Sequence, residues 1–430
     1  MRCNHNSYQL YINSVLKRIT YQYVAMADLK HNVGGWFKRF KWINTTREET
    51  LNAESKLLNI SGCKDVLQQK DTSIQYHGSR LSLHSVEGGP VDAPALVYLP
   101  GYGAGVGFIF RILKGLTNGF SLYALDLLGT GLSSRPSPFW PKSTKEAEAF
   151  FVDSLEEWRK VRNIDSFILV GHSMGGYLAA CYAMSYPERV KHLVMVCPAG
   201  VGAKAEDWSP PSAVKSPWTL RGQLYRLATT MWTSGVTPGS IIRFLGPYGK
   251  KLVRGYTQRR FIAGHHLTQE EVDIFAQYMY GIVAAKGSGE HALRYILEPF
   301  AFAKDPLEHR MSNLQTPVSF IYGSQDWMDP LAADRLLERI RENRGSLVEG
   351  DLERLTTECA GHYPYLDQPG MFLKDLMAVC GSYCQSEEAK RLVMMAADEY
   401  PLSRDGAIDT KEDLEEEGPA TAAAHIASDM

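Results

Sequence analysis

The stretch FILVGHSMGGYLAACYA, residues 167–183, decides the fold. Its first residues form a short apolar run typical of a buried strand, and its last residues have the composition of a helix. Between them, Gly171, Ser173 and Gly175 form a G-x-S-x-G pattern. Both glycines suit a strained strand-to-helix turn that leaves little room for Cβ atoms. The stretch therefore predicts a turn that holds the Ser173 hydroxyl above the end of a sheet.

Short apolar runs alternate with helical stretches on both sides of this turn, from about residue 75 onward. Runs rich in Val, Ile, Leu and aromatic residues suit the strands of a parallel sheet that is buried on both faces. The alternation predicts an α/β fold with a doubly wound, mostly parallel sheet. Strands are predicted at 95–100, 121–126, 166–171, 192–197 and 318–323, and helices at 143–162 and 175–186.

The alternation stops between Pro198 and Pro317, an interval too long for one crossover connection. Three helical patterns rich in aromatic residues and Met lie there: RGQLYRLATTMW, PGSIIRFLG and TQEEVDIFAQYMYGIVAA. We therefore expect a helical lid inserted into the sheet. The predicted organisation is an N-terminal extension at 1–75, a first core part at 76–198, the lid at 199–316, a second core part at 317–385, and a C-terminal helix with an acidic, disordered tail at 386–430.

The N-terminal extension holds two features of its own. We expect residues 1–25 to be an upstream addition, because Met26 would serve as a start in its own right. The stretch TTREETLNAESKLLNI, residues 45–60, predicts a helix capped by Thr45 or Thr46 with acidic residues in its first turn.

Composition and charge exclude several classes of protein. The 430 residues are 44% hydrophobic and carry a net charge of −2, so nothing global indicates a nucleic-acid partner. Seven cysteines without paired spacing favour a reducing compartment, and no His/Cys group has zinc spacing, so neither a metal nor a bound cofactor is predicted. No apolar run reaches about 18 residues and no secretory signal is recognisable, so we expect a cytoplasmic protein without a spanning helix.

The serine hydroxyl needs a base, and the base needs an acid to orient it. In a fold with this turn, the acid and then the histidine follow the serine along the chain. The sequence SFIYGSQDWMDP places Asp326 and Asp329 just after the strand at 318–323, and we favour Asp326 because it lies at the strand end. His362, in AGHY, is the candidate base.

An anionic intermediate on this serine would need two backbone N–H donors. Met174, directly after the serine, supplies one, and the loop Gly101-Tyr102-Gly103-Ala104-Gly105 supplies the other through Tyr102. The same glycine-rich loop lacks the Lys-Ser/Thr pair of a phosphate-binding loop, so nucleotide binding is not predicted.

Five motifs together are similar to those of one family, the α/β-hydrolase domain-containing proteins four and five, over about residues 35–385. They are EEWR, ILVGHSMGGYLA, EPFAFAKDPLEHRM, FIYGSQDWMD and GHYPYLDQP. The resemblance implies an α/β-hydrolase fold and lipase activity on phospholipids or N-acyl-phospholipids. It also implies acyl-CoA-dependent acylation of lysophosphatidic acid, with acyl-CoA as co-substrate. One branch instead activates a triglyceride lipase at lipid droplets and lacks the serine of the turn, so Ser173 favours the enzymes.

An H-x-x-x-x-D motif, His362 to Asp367, is the acyltransferase-type signature that the resemblance brings with it. One histidine does not readily serve both as the base of Ser173 and in an independent centre. Because Gln368-Pro369 follows Asp367, we interpret Asp367 as the cap of a helix. Acyl transfer would then use an acyl-Ser173 intermediate.

The segment GGWFKRFKW, residues 34–42, alternates aromatic and basic side chains and predicts contact with an anionic membrane. A helix packed on the domain is the alternative. The predicted contact residues are Trp36, Phe37, Lys38, Arg39, Phe40, Lys41 and Trp42. The expected partners are a lipid substrate, the surface of the endoplasmic reticulum or of a lipid droplet, and a lipase or droplet-coat protein.

Three functions stay open from sequence. The first is a membrane-associated serine hydrolase acting on acyl ester bonds of (lyso)phospholipids or N-acyl-phospholipids. The second is an acyl-CoA-dependent lysophosphatidic acid acyltransferase at the same site. The third is a non-catalytic regulator of a triglyceride lipase.

Overall fold

An eight-stranded β-sheet forms the centre of the described structure. The computed structural model describes residues 43, 45–206, 208–210, 212–216, 218–262, 267–344 and 351–400. The predicted upstream addition at 1–25, the membrane-contact residues 36–42 and the acidic tail beyond 400 lie outside the described residues.

The strands lie in the order β1-β2-β4-β3-β5-β6-β7-β8. The pairs β1–β2 and β2–β4 are antiparallel, and all other neighbours are parallel. The predicted mostly parallel, doubly wound sheet is therefore confirmed. The strands are β1 (Gln68–Tyr76), β2 (Ser79–Gly88), β3 (Ala95–Leu99), β4 (Ser121–Leu125), β5 (Phe167–His172), β6 (Val190–Val196), β7 (Val318–Gly323) and β8 (Leu352–Thr357).

Helices surround this sheet and fill the interval between β6 and β7. The α-helices are α1 (Arg47–Ile60), α2 (Leu113–Gly119), α3 (Thr144–Arg162), α4 (Met174–Ser185), α5 (Ser212–Lys215), α6 (Leu220–Thr233), α7 (Pro238–Leu245), α8 (Pro247–Thr257), α9 (Gln269–Ala284), α10 (Leu293–Ile296), α11 (Leu307–Arg310), α12 (Pro330–Arg344), α13 (Pro364–Asp367), α14 (Pro369–Cys380) and α15 (Glu387–Asp398). A π-helical turn, Gln258–Ile262, follows α8. The helices predicted from the lid sequence are confirmed as α6, α7 and α9.

The hydrophobic core lies on both faces of the sheet. Successive residues of β3 alternate between two clusters: Val97 and Leu99 pack in one, Leu96 and Tyr98 in the other. Since side chains alternate along a strand, the two clusters lie on opposite faces. Helices α3, α4 and α12 contribute to the first, and α1, α9, α14 and α15 to the second.

Helix α1 belongs to this core, whereas the sequence assigned it to an extension. Thr46 caps it in a capping box with Glu49, as one of the two predicted caps. Its Glu54 is fully buried and lies 2.8 Å from His84 Nε2 on β2. Burial opposes a charge on His84, but the Glu54 carboxylate and a hydrogen bond with Asp71 overcome it and raise the pKa of the imidazole to about 10. The sheet itself begins at Gln68, inside the predicted extension.

No helix among the described residues is long and apolar enough to cross a membrane.

Candidate active site

The candidate catalytic residues lie together at the carboxyl ends of the parallel strands. Strands β3, β5, β7 and β8 are parallel, so the loops at their carboxyl ends open at the same edge. These loops carry Tyr102, Ser173, Asp326 and His362 in turn. The topology therefore brings together residues that are up to 260 positions apart in the chain.

Ser173 lies in a strained turn between β5 and α4. Its φ is 52° and its ψ is −120°, a conformation that non-glycine residues rarely adopt. A Cβ atom on Gly175 would lie 2.5 Å from the carbonyl oxygens of Leu99 and Pro100, and one on Gly171 would lie 2.4 Å from the Gly175 oxygen. The predicted steric need for both glycines is confirmed.

His362 lies next to an acid as the predicted order requires. Its Nδ1 lies 2.9 Å from Asp326 Oδ1, and both side chains are almost fully buried. The backbone N–H of Met328 also donates to Asp326 Oδ1, over 3.2 Å. Because a carboxylate accepts hydrogen bonds, Nδ1 carries the proton and Nε2 keeps its lone pair.

Asp329, the alternative acid, has a different position. Its side chain is 60% exposed, and its Oδ1 accepts a hydrogen bond from the Leu331 N–H at the start of α12. It also lies 3.9 Å from Arg335. The geometry therefore pairs Asp326, not Asp329, with His362.

Ser173 and His362 line one small cavity of about 20 Å³ together with Tyr102 and Met174. Met174 is the first residue of α4, so its N–H has no acceptor within the helix. The two predicted N–H donors thus belong to residues that border the serine. Trp327 packs against His362, with ring centroids 5.3 Å apart, and shields it from solvent.

His172, the residue before the serine, was missed by sequence reasoning. Its Nε2 lies 2.7 Å from the His362 carbonyl oxygen, so Nε2–H donates to it. Burial, followed by the nearby His362 ring, lowers the pKa of His172 well below its usual range, which keeps the ring neutral. His172 therefore positions the backbone of the candidate base, and a histidine in an otherwise apolar strand was the available signal.

Cys197, at the end of β6, lies beside the acid. The ligand atoms of Cys197, Asp326 and His362 are all within 4.8 Å of one another, as are those of Glu54, His84 and Asp126. Burial, and then the Asp326 carboxylate, raise the pKa of the Cys197 thiol, so the thiol stays protonated against the acid. Sequence spacing did not predict either group, because each is assembled from separate elements.

Asp367, the acid of the H-x-x-x-x-D motif, is not the helix cap that the sequence predicted. It ends α13, and Gln368 is the N-cap residue of α14. Its Oδ2 instead accepts from Gly361 N–H at 2.9 Å and from Arg260 Nη2 at 2.8 Å. A buried carboxylate gains more from a charged donor than from a cap bond. Asp367 therefore joins the loop before His362 to the π-helical turn after α8.

A second cavity of about 290 Å³ lies against the helices between β6 and β7. Tyr102 and Tyr363 line both cavities, so the two share a wall. The aliphatic lining comes largely from α7, α8 and α9: Ile241, Ile242, Val253, Met279, Ile282 and Val283. Arg135, Arg259 and Glu290 add charged groups, and Glu290 forms an ion pair with Arg243. An apolar chain with a polar end suits such a cavity.

Residues 94–369 match the sequence model of the alpha/beta hydrolase fold. The chain belongs to the α/β-hydrolase family. The candidate residues lie where members of this fold carry a nucleophile, an acid and a histidine.

Relatives within the α/β-hydrolase family confirm the resemblance to domain-containing proteins four and five. A probable 1-acylglycerol-3-phosphate O-acyltransferase of Oryza sativa subsp. japonica is 37% identical over 367 residues, which cover 82% of this chain and 86% of that protein. A (lyso)-N-acylphosphatidylethanolamine lipase of Mus musculus is 31% identical over 362 residues, covering 83% and 98%.

A solved structure supports the α/β-hydrolase fold independently. The crystal structure of a membrane phospholipase A, described as a bacterial virulence factor, aligns with a TM-score of 0.51 at 18% identity and covers 86% of this chain and 100% of that chain. At that identity, the likeness shows the fold alone.

Proposed function

We propose that this protein is a membrane-associated serine hydrolase that cleaves acyl ester bonds of (lyso)phospholipids or N-acyl-phospholipids. The observation that carries the proposal is the 2.9 Å contact between His362 Nδ1 and Asp326 in a loop that borders the Ser173 turn. The names of the relatives, a lipase and an acyltransferase of lipids, support a lipid substrate.

In the first half of the reaction, His362 Nε2 takes the proton of Ser173 Oγ as the oxygen attacks the acyl carbonyl carbon. The N–H groups of Tyr102 and Met174 donate to the carbonyl oxygen as it becomes negative. Asp326 stabilises the charged imidazole. His362 then gives the proton to the departing glycerol oxygen, and the acyl group stays on Ser173.

In the second half, a hydroxyl attacks the acyl-Ser173 ester while His362 takes its proton, and His362 then returns that proton to Ser173 Oγ as the acyl–oxygen bond breaks. Water as the attacking group gives a free fatty acid. The hydroxyl of lysophosphatidic acid would give phosphatidic acid; acyl-CoA is then the donor in the first half, and its thiol leaves with the proton from His362 in place of the glycerol oxygen. Hydrolysis and acyl transfer thus need the same three side chains.

One observation favours acyl transfer as the alternative: the rice relative is named an O-acyltransferase. In this scheme Asp367 does not form a separate centre, because its Oδ2 is bonded to Gly361 and Arg260. Regulation of a triglyceride lipase at a droplet surface, through contact with a lipase or coat protein, is the third candidate. The retained Ser173 argues against it as the sole function.

The product profile of the purified full chain tests the proposal. Lysophosphatidic acid, lysophosphatidylcholine and N-acyl-phosphatidylethanolamine are each incubated with and without labelled acyl-CoA, and fatty acid and phosphatidic acid are separated. We expect fatty acid release from at least one lipid without acyl-CoA. Labelled phosphatidic acid as the sole product would favour the acyltransferase, and absence of any product with all substrates would contradict both enzyme proposals.

Asp367→Asn is expected to lower hydrolysis and acyl transfer by the same factor, about 10- to 100-fold. The neutral amide loses the ion pair with Arg260 and loosens the loop that holds His362. Rates of both reactions are measured on the same preparation. Arg260→Gln should give the same pattern, whereas Arg254→Gln, which breaks an exposed lid ion pair with Asp273, should leave both rates near wild type. A selective loss of transfer would instead assign Asp367 to an acyltransferase centre.

A further inference from the structure

Two helices of the lid expose an apolar stripe. Ile241 and Phe244 on α7 are 37% and 50% exposed, and Tyr248 and Leu252 on α8 are 68% and 53% exposed. The spacing of three residues on α7 and of four on α8 places each pair along one face of its own helix, and the two faces adjoin because Ile241 and Leu252 line the same cavity. Val253, on the other side of α8, is 5% exposed. Contiguous exposed apolar side chains of this kind indicate a surface that contacts something else.

Positive charge lies beside this stripe. Between Asp207 and Glu270 the sequence has no Asp or Glu but nine Lys and Arg residues, in a chain whose net charge is −2. Lys250 and Lys251 are exposed on α8, and Lys251 Nζ lies 5.5 Å from the centroid of the Tyr248 ring. The surface therefore offers cations at the margin of apolar side chains.

The stripe also borders the larger cavity. Ile241 and Leu252 are exposed at the surface and line the 290 Å³ cavity as well. Arg259, which is exposed, lines the same cavity. A partner that covers the stripe would therefore lie beside this largely aliphatic cavity.

We propose that the face formed by α7 and α8 docks on an anionic lipid surface. Phe244, Tyr248 and their neighbours enter the boundary between headgroups and acyl chains, while Lys251, beside Tyr248, and Arg259, at the adjoining cavity, meet lipid phosphates. The absence of acidic residues over this part of the sequence matches an anionic surface. The passage of a substrate from that surface into the cavity rests on the proposed function, whereas the docking itself does not.

The apolar contribution is tested by co-sedimentation of the full chain with vesicles of phosphatidylcholine and phosphatidylglycerol. Phe244→Asp with Tyr248→Asp is expected to lower the vesicle-bound fraction at least about tenfold. The matched control is Val161→Asp with Met395→Asp, which changes side chains that are 50% and 54% exposed elsewhere on the surface. The control should bind like wild type, and a melting curve verifies that each variant is folded.

The charge contribution is tested by Lys251→Glu with Arg259→Glu, two exposed cations beside the stripe. This pair is expected to weaken binding to the anionic vesicles at least about tenfold and to change binding to pure phosphatidylcholine much less. Lys64→Glu with Lys191→Glu makes the same charge change at exposed positions outside α7 and α8 and serves as the control. Equal losses in both pairs would show a general charge effect and overturn the assignment to this face.

Two further measurements separate docking by this face from membrane contact by residues 36–42 and from dimer formation. All pairs are also tested with Trp36, Phe37, Phe40 and Trp42 replaced by Ser, so that this segment does not mask a loss. Unchanged binding by the lid variants in that background overturns the proposal. A shift from dimer to monomer in light scattering, with vesicle binding unchanged, would instead assign the stripe to a second copy of the chain.

Hydrolysis of a short, soluble ester reports on the proposed function separately. If wild type cleaves it but the lid variants bind vesicles normally, the docking inference fails and the proposed function stands. If wild type does not cleave it but the lid variants lose vesicle binding, the docking inference stands without the proposed hydrolase function.

Discussion

Ser173→Ala is expected to lower the rate of lipid hydrolysis by a factor on the order of 10⁵ to 10⁶ and to abolish labelling by a fluorophosphonate probe. The methyl group has no oxygen to form the acyl intermediate, and the remaining hydrogen-bond donors do not replace that step. Released fatty acid and probe labelling are measured in parallel with the wild-type chain. We expect the variant to keep the fold, because the Ser173 hydroxyl makes no hydrogen bond to another of the described residues.

Ser173→Gly is the matched control for folding. We expect this variant to be equally inactive. Because glycine tolerates the φ of 52°, its free energy of unfolding should exceed that of Ser173→Ala by about 1 kcal/mol, and its melting temperature should be higher. Continued labelling of Ser173→Ala would place the nucleophile elsewhere. A wild-type chain that the probe does not label would contradict the hydrolase proposal itself.

Asp326→Asn is expected to lower kcat by about 10⁴. The amide presents either an oxygen or an NH₂ group to His362 Nδ1, and the NH₂ group favours the tautomer that carries its proton on Nε2. In that tautomer Nε2 is not able to accept the proton of Ser173. The variant is measured by its steady-state rate on the substrate that wild type cleaves fastest.

Asp329→Asn is the matched control, because it removes the other carboxylate of the same loop. Asp329 is exposed and accepts a bond from the Leu331 N–H, so its amide variant should change kcat by less than about threefold. A large loss in Asp329→Asn together with a small one in Asp326→Asn would mean that the other acid orients His362 during the reaction.

The sequence predicted the central strands of the sheet because their runs of apolar residues are buried on both faces. It did not predict β1 and β2, or the position of β8. Every second residue of β1 is polar and exposed over much of its length, and β8 is mostly half-buried. These strands lie at or next to the two edges of the sheet, where the apolar signal is weaker.

Within the site, the serine turn was predictable because its glycines are dictated by contacts between neighbouring backbones. The choice between Asp326 and Asp329 depends on how one loop turns, and no local pattern encodes that turn. Asp367 was misassigned because the Gln-Pro that follows it resembles a helix start. Its partner Arg260 lies 107 residues earlier in the chain, so no local sequence pattern indicates the ion pair.

Tyr102 and Tyr363 line both the small cavity at Ser173 and the larger aliphatic cavity, and this position has a consequence for inhibitor selectivity. A small phosphonate reacts with many enzymes of this fold, because the serine turn and its histidine vary little in geometry. An inhibitor with an apolar tail that passes these two tyrosines would also contact Ile242 and Met279 in the lid. Its discrimination between related enzymes would then come from the lid, the part of the chain in which each enzyme of this fold is free to differ.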